Sequence, residues 1–223
     1  MKEEEKDMAR KNNGATTFII FVAIVGMVVG GLILAAPPQK DSAPSSTQNQ
    51  QSSVKEDANL INSSDAAVIG NKDAKVKVVV FSDYQCPYCS KLHESFKGLE
   101  EKFGGDLAIE VRNFIIHPQA EIMARAAYAA DRQGKFNEAA NLIFSKYTEA
   151  TEDSMIKMAE ELKLDTGKFK DDLNSDKAKS VVEKDNSDAQ ELGLGGTPSV
   201  FVNNKYLEDP STLENSISQA LGK

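Results

Sequence analysis

The sequence predicts an α/β domain that follows an N-terminal transmembrane helix and a flexible linker. Three observations support this prediction. Residues 17–36 carry no charge and are rich in Ile, Val, Phe and Leu. Residues 37–60 are rich in Pro, Ser, Gln and Asn. Residues 61–223 then show the apolar patterns of β-strands and amphipathic helices in turn.

The uncharged run has the length of a membrane-spanning helix. As an α-helix it would be about 30 Å long, which is the thickness of the hydrocarbon core of a bilayer. Four basic residues precede the run, and only Lys40 follows it closely. The positive-inside rule therefore places residues 1–16 in the cytoplasm as a tail and everything after residue 36 outside the cell membrane. A cleaved signal peptide is the alternative, but its apolar region would be shorter, and Ala35-Ala36-Pro37 is a poor cleavage site.

Composition limits the partners of the portion of the chain that follows residue 36. The formal net charge is −8, and the basic and acidic residues before the uncharged run cancel each other. An acidic domain argues against nucleic acid as a partner and against electrostatic binding to anionic lipid. The N-terminal helix is therefore the expected link to the membrane. The chain has only two cysteines, which leaves none for a separate structural disulfide. This pair is therefore expected to do chemistry.

Residues 37–60 are predicted to be a flexible linker, because they hold too few large apolar residues to offset the entropy of ordering. Residues 61–223 have a length that suits one domain. Strands are predicted at residues 76–81 and 108–114, the first as a continuous apolar run typical of a buried central strand. Between them, apolar residues at helical spacing predict one helix that ends at Gly104-Gly105; these residues are Leu92, Phe96, Leu99 and Phe103.

The second half of the domain is predicted to be mostly helical. After residue 118, helical patterns continue to about residue 192. A hairpin follows, with strands at residues 199–202 and 205–207 and a tight turn at Asn203-Asn204, because Asn tolerates the positive φ that such turns need. Pro210 and the apolar spacing after it indicate a closing helix.

The two cysteines lie in Cys86-Pro87-Tyr88-Cys89, where the first strand passes into the first helix. Cys86 falls in the first helical turn, where backbone N–H groups lack partners and the helix dipole is positive, so an exposed thiolate there is stabilised. Cys89 is in register with the apolar stripe and is expected to face inward. Pro87 suits the first turn, and Tyr88 adds an exposed aromatic edge. The pattern predicts catalysis of thiol–disulfide exchange.

Several neighbouring residues allow other interpretations. Cys86, Cys89 and His93 could supply three zinc ligands, but structural zinc needs four, so no metal and no cofactor are predicted. His93 itself is expected to be an ordinary histidine at the surface or on the flank of the helix. Asp83 is either a buried proton acceptor for Cys89 or a turn residue, and the turn is favoured. Thr197-Pro198, considered without the cysteines, is compatible with an ordinary trans turn. His117, before Pro118, is expected to begin a helix.

Together, two separated motifs resemble the DsbA-like thiol oxidoreductases, and most closely their membrane-anchored bacterial branch. The first motif is Phe81-Ser82-Asp83-Tyr84-Gln85-Cys86-Pro87-Tyr88-Cys89, preceded by Gly70-Asn71-Lys72-Asp73-Ala74, and the second is Gly196-Thr197-Pro198-Ser199-Val200-Phe201-Val202-Asn203. The resemblance implies a thioredoxin-like fold with a helical insertion at about residues 118–192. It also implies that Cys86 is the nucleophilic cysteine and that Cys89 is the resolving cysteine. The Thr197–Pro198 bond is implied to be cis, with Pro198 facing Cys86.

The resemblance further implies that the Thr197 backbone pairs with an extended client segment. Strong oxidants of the family often have histidine where this chain has Tyr88, and Pro-Tyr is also the dipeptide of many glutaredoxins. The expected function is an extracytoplasmic dithiol oxidase for exported proteins with free cysteines. A membrane quinone-coupled thiol oxidase is implied as its reoxidising partner. A reductase or isomerase of the same fold, or a non-catalytic peptide-binding module, stays as an alternative.

Overall fold

The structure is a computed structural model of the chain, and it describes residues 53–147 and 150–223. The predicted cytoplasmic tail, the transmembrane helix and most of the linker lie outside these residues. No helix within the described ranges is both long enough and apolar enough to cross a membrane. The described part contains the α/β architecture that the sequence predicts.

A five-stranded mixed sheet forms the centre of the domain. Its strands are β1 (Ala67–Gly70), β2 (Val76–Ser82), β3 (Leu107–Asn113), β4 (Ser199–Val202) and β5 (Lys205–Leu207), in the order β1-β3-β2-β4-β5. The pair β2–β3 is parallel, and the other neighbours are antiparallel. The continuous apolar run predicts a central strand, and β2 is the middle strand of this sheet. The carboxyl ends of β2 and β3 therefore meet at one edge of the sheet.

Helices cover both faces of this sheet. They are α1 (Ala58–Ile61), α2 (Pro87–Phe103), α3 (Ala120–Asp131), α4 (Phe136–Lys146), α5 (Glu152–Glu161), α6 (Thr166–Asn174), α7 (Asp176–Glu191) and α8 (Leu213–Ala220). In β2, alternate side chains enter two different cores. Val78 and Val80 pack in the larger core, which includes Phe96 of α2. Val79 and Phe81 pack in the smaller core with residues of α1 and with residues at the end of α7.

Local sequence signals explain where several elements begin and end. Gly104 ends α2 with a φ of 53°. Asn203 and Asn204 have φ values of 49° and 65°, so the β4–β5 hairpin uses the tight turn that the sequence predicts. After Pro210 the chain first forms one turn of 3₁₀-helix, Pro210–Thr212, and α8 begins only at Leu213.

Two elements were not predicted, and both are four residues long. These are α1 and β1. Segments this short show no helical or alternating period in the sequence, so their structure depends on tertiary contacts. β1 is held by antiparallel pairing with β3. α1 places Ile61 in the smaller core against α7.

Candidate active site

The cysteine pair lies where β2 ends and α2 begins. Cys86 is the N-cap residue of α2, with extended backbone angles and no hydrogen bond from its side chain to the helix end. Pro87 is the first helical residue, a position where its missing N–H has no intrahelical partner to lose. A helix of 17 residues therefore directs its positive end at the sulfur of Cys86. This placement agrees with the sequence prediction.

Cys86 is less accessible than the sequence suggests. The expectation of an exposed sulfur is wrong, because the residue is only 6% exposed. The segment 196–198 approaches it from the far end of the chain, and the Cys86 thiol donates a hydrogen bond to the Thr197 carbonyl oxygen at 3.3 Å. Both cysteines are free thiols in this structure. A partner would therefore have to approach Cys86 through the cavity that this residue lines.

Cys89 faces inward and is 2% exposed. Burial raises the pKa of the Cys89 thiol to about 11, although the Asp83 backbone N–H and the hydroxyls of Ser82 and Thr197 favour its thiolate. The two sulfurs are therefore inequivalent. Cys86 lies at the helix end, and Cys89 is held as a thiol one turn further along.

Asp83 connects the turn before Cys86 to the segment that follows β3. Its side chain is completely buried, and its two oxygens accept hydrogen bonds from three backbone N–H groups. These are Gln85 N at 2.7 Å, Ile116 N at 2.7 Å and His117 N at 2.9 Å. The carboxylate thus ties together two segments that are about thirty residues apart, which fits the turn interpretation of Asp83. The contact of Asp83 with Cys89 is made by its backbone.

His117 lies beside this carboxylate. Its Nδ1 atom is 3.2 Å from Asp83 Oδ2, and its side chain is half exposed. The expectation that His117 begins a helix is wrong, because α3 begins at Ala120. The backbone N–H of His117 instead donates to Asp83, which fixes the course of the chain between β3 and α3.

The Thr197–Pro198 peptide bond is cis, as the resemblance implies. This segment leads directly into β4, which pairs with β2, so it lies beside the residues that follow β2. Ser199 fixes the turn by donating from Oγ to the Gly196 carbonyl at 2.7 Å. A groove of about 550 Å³ borders Pro198 and Tyr88, and its walls come from α2 and from the start of α8. The Tyr88 side chain is 72% exposed at this groove.

His93 is buried, so the expectation of a surface position is wrong. Its ring packs against Phe96 and Phe144, with centroid distances of 5.1 and 5.3 Å. Burial lowers the pKa of His93 to about 4, although the side chains of Asn137 and Asn141 on α4 favour the charged form. Within the described residues, no group of three His, Cys, Asp or Glu side chains is arranged to hold a metal ion.

A buried ion cluster behind the site was missed by the sequence reasoning. Arg112 on β3 is fully buried and binds two carboxylates of α7, Asp185 Oδ1 at 2.6 Å and Asp188 Oδ2 at 2.6 Å. It also donates to the carbonyls of Leu60 and Ile61. The cluster joins α1, α7 and the sheet. Asp185 and Asp188 share a helix face with Val181 and Val182, but nothing in the sequence shows that this face is covered.

A thioredoxin family profile matches residues 62–221 of the chain. Among curated proteins, the Na⁺/H⁺ antiporter NhaA of Herminiimonas arsenicoxydans is 35% identical over 138 residues, which are 62% of this chain and 22% of the antiporter. NhaA 1 of Mycolicibacterium gilvum is 32% identical over 148 residues, 64% of this chain and 24% of that protein. The chain therefore spans about a quarter of the length of these relatives.

Solved structures share the fold. A thioredoxin-like oxidoreductase from Silicibacter pomeroyi is 29% identical, with a TM-score of 0.65 over 74% of this chain and 96% of that chain. BdbD from Bacillus subtilis is 24% identical, with a TM-score of 0.64 over 71% and 94%. The thiol-disulfide exchange protein α-DsbA2 from Wolbachia pipientis is 21% identical, with a TM-score of 0.65 over 72% and 90%.

The first of these structures is described as a thioredoxin-like oxidoreductase, which agrees with the predicted enzyme class, protein thiol:disulfide oxidoreductase. The last two, below 25% identity, show the fold alone. The family profile covers well over half of the chain. The chain therefore belongs to the thioredoxin family, as a member with the DsbA-like fold.

Proposed function

We propose that this domain is a dithiol oxidase that introduces disulfide bonds into exported proteins by exchange through Cys86 and Cys89. The supporting observation is the inequivalence of the two sulfurs. Cys86 is the N-cap of a long helix, whereas Cys89 is buried one turn later with a raised pKa. One cysteine is thus placed to exchange partners and the other to close or open the internal disulfide.

The reaction proceeds in two displacements. A client thiolate attacks Cys86 Sγ of the oxidised pair, the Cys86–Cys89 bond breaks, and Cys89 leaves with the electron pair and takes up a proton. A second client thiolate then attacks the client sulfur of the mixed disulfide, which forms the client disulfide and releases Cys86 as a thiolate. The pair has gained the two electrons that the client lost.

The placement of Cys86 favours this direction. The Cys86 sulfur is released at the positive end of α2, which is the placement expected of a cysteine in a dithiol oxidant. Burial raises the pKa of the Cys89 thiol, so Cys89 is mostly protonated at neutral pH. Its attack on the mixed disulfide is thereby slowed, which leaves time for the second client thiolate.

Client binding is assigned to the segment beside Cys86. Thr197 accepts the hydrogen bond of the Cys86 thiol, and Pro198 lines the neighbouring groove. Their backbone would pair with an extended client chain, as the resemblance implies. Pro87 and Tyr88 shape the helix end, and Asp83 anchors the turn before it. Each of these roles is part of the proposal.

The proposed location is the outer side of the cell membrane. Residues 17–36 would form a single-pass anchor with a cytoplasmic N-terminus, and residues 37–60 would tether the domain near the surface. A disulfide donor requires an oxidising environment, and the space outside the membrane provides one. Reoxidation of the reduced pair is assigned, by resemblance, to a membrane quinone-coupled thiol oxidase.

Two measurements test the direction of electron flow. The equilibrium potential of the pair against glutathione should be less negative than about −200 mV, since dedicated oxidants lie on that side of the scale. Acid quenching of cells followed by thiol alkylation should find the Cys86–Cys89 pair mostly oxidised. A mostly reduced pair in cells would assign the reductase or isomerase function instead. Full biological function of a Cys86→Ser variant would assign a binding module.

A further inference from the structure

A second cavity, of about 310 Å³, opens directly at Cys86 and shares no lining residue with the groove beside Pro198. Cys86 and Pro87 form part of its wall. The turn before them contributes Tyr84 and Gln85, and α4 contributes Ile143 and Phe144, with Ser90 and Tyr147 completing the lining. The helical insertion and the thioredoxin-like part of the domain therefore meet around this cavity.

None of the described residues that line this cavity has a charged side chain, and three of the eight are aromatic. Tyr84 and Phe144 pack with a centroid distance of 5.0 Å at an angle of 35°, and the buried Ile143 lies beside them. Burial raises the pKa of Tyr84, so its phenol stays neutral at physiological pH. An uncharged apolar surface favours an apolar ligand, because a charged group would lose its hydration without gaining a partner.

The groove beside Pro198 differs in charge. Its lining includes Lys91, Asp209 and Glu214, so it offers partners for charged and polar groups of a bound chain. The groove therefore offers charged partners that the described lining of the cavity at Cys86 lacks.

We infer that the cavity at Cys86 binds an aromatic or large aliphatic side chain that lies within two residues of the client's reacting cysteine. The inference rests on the proposed exchange function, because the client cysteine must bond to Cys86 Sγ. Consecutive Cα atoms are 3.8 Å apart, so a residue one or two positions from that cysteine arrives at the mouth of a cavity of which Cys86 is a wall. The client's cysteine and the adjacent apolar side chain are recognised together.

Peptides with a single cysteine test this inference. Each peptide carries Phe, Ser or Lys at one of the four positions within two residues of the cysteine, and its second-order rate of reaction with the oxidised full-length chain is measured by acid quenching and mass spectrometry. At one position, Phe should accelerate the reaction about tenfold over Ser, which is the discrimination typical of a small apolar pocket. Equal rates at all four positions would overturn the inference while leaving exchange itself established.

Two serines of α2 provide matched variants, because Ser90 lines the cavity and Ser95 lines the groove beside Pro198. Ser90→Leu should reduce the Phe-to-Ser rate ratio to about 2 or less, whereas Ser95→Leu should retain it. Ser90→Asp, which is compatible with a half-buried helical position, should also reduce the ratio and should favour the Lys peptide. A ratio that falls only in Ser95→Leu, or equally in Ser90→Leu and Ser95→Leu, would overturn the assignment.

The readout separates this inference from the proposed function. Because each variant is compared by a ratio of two peptides, a general effect on the sulfur cancels. Absence of reaction with every peptide and with dithiothreitol would refute the exchange function itself. Reaction with all peptides at one common rate would refute only the recognition of an apolar side chain.

Discussion

Replacement of Asp83 by Asn tests whether this residue holds the active-site turn together. The carboxylate serves three backbone N–H groups through two oxygens, and Asn has only one acceptor oxygen. The amide can keep Ile116 N and His117 N on its oxygen, but its NH₂ group then faces Gln85 N. In the variant, one buried backbone N–H loses its hydrogen-bond acceptor, which costs about 1–3 kcal/mol of unfolding free energy. The other two hydrogen bonds are made to a neutral amide instead of a charged carboxylate and become weaker.

The expected loss of unfolding free energy is about 2–4 kcal/mol for Asp83→Asn and more for Asp83→Ala, which removes all three acceptors. For a domain of this size that corresponds to a fall in Tm of roughly 5–15 °C. Urea and thermal unfolding of the reduced protein, followed by circular dichroism, measure the change. Asp165→Asn is the control. Asp165 is an exposed N-cap that accepts from Lys168 N, and Asn caps a helix as well as Asp does.

Two outcomes would refute this reasoning. A change of less than about 0.5 kcal/mol in Asp83→Asn would show that the three hydrogen bonds do not anchor the turn. Unchanged stability with a lost internal exchange between Cys86 and Cys89 would identify Asp83 as the proton acceptor of Cys89. The structure favours the anchor, since both carboxylate oxygens are already bound to backbone donors.

Three further predictions concern the sulfurs, the ion cluster and the buried histidine. At pH 8, iodoacetamide should modify Cys86 of the reduced protein and leave Cys89 intact, because burial raises the Cys89 pKa to about 11; equal modification by mass spectrometry would contradict this. Arg112→Leu should cost about 3–5 kcal/mol in urea unfolding because two buried carboxylates lose their buried cation, which leaves Asp188 only Lys184 and Asp185 only Asn113, whereas the exposed Lys97→Ala should cost less than about 1 kcal/mol. The folded state binds a proton to His93 less readily than the unfolded state, so stability should fall as pH drops from 6.5 towards 4. His93→Gln should flatten this dependence, and identical pH profiles would exclude His93 as its source.

The position of the cysteine motif and the secondary structure around it were predictable because their signals are local. The run of valines in β2, the apolar spacing of α2 and Gly104 at its end each depend on neighbours within a few residues. The same is true of the Asn203-Asn204 turn. Local signals of this kind placed the cysteine pair at a helix N-terminus before any tertiary contact was known.

Burial of particular polar side chains was not predictable. His93 has the spacing of a flank residue on α2, and only the approach of Phe144 from α4 encloses it. Arg112 looks like an exposed strand residue until α7 supplies Asp185 and Asp188. In both cases the covering element lies tens of residues away, and the sequence near the buried residue carries no record of it.

Local sequence patterns are enough to place the two cysteines at a helix N-terminus, because the strand, the helix start and the cysteine spacing are specified by neighbouring residues. What surrounds the two cysteines depends on the tertiary fold. It brought Thr197 to Cys86, gave Asp83 three backbone donors and set α4 across the cavity at Cys86. The physical reason is that desolvation and recognition depend on groups from distant segments, whose contacts are fixed by packing rather than by the pattern of neighbouring residues.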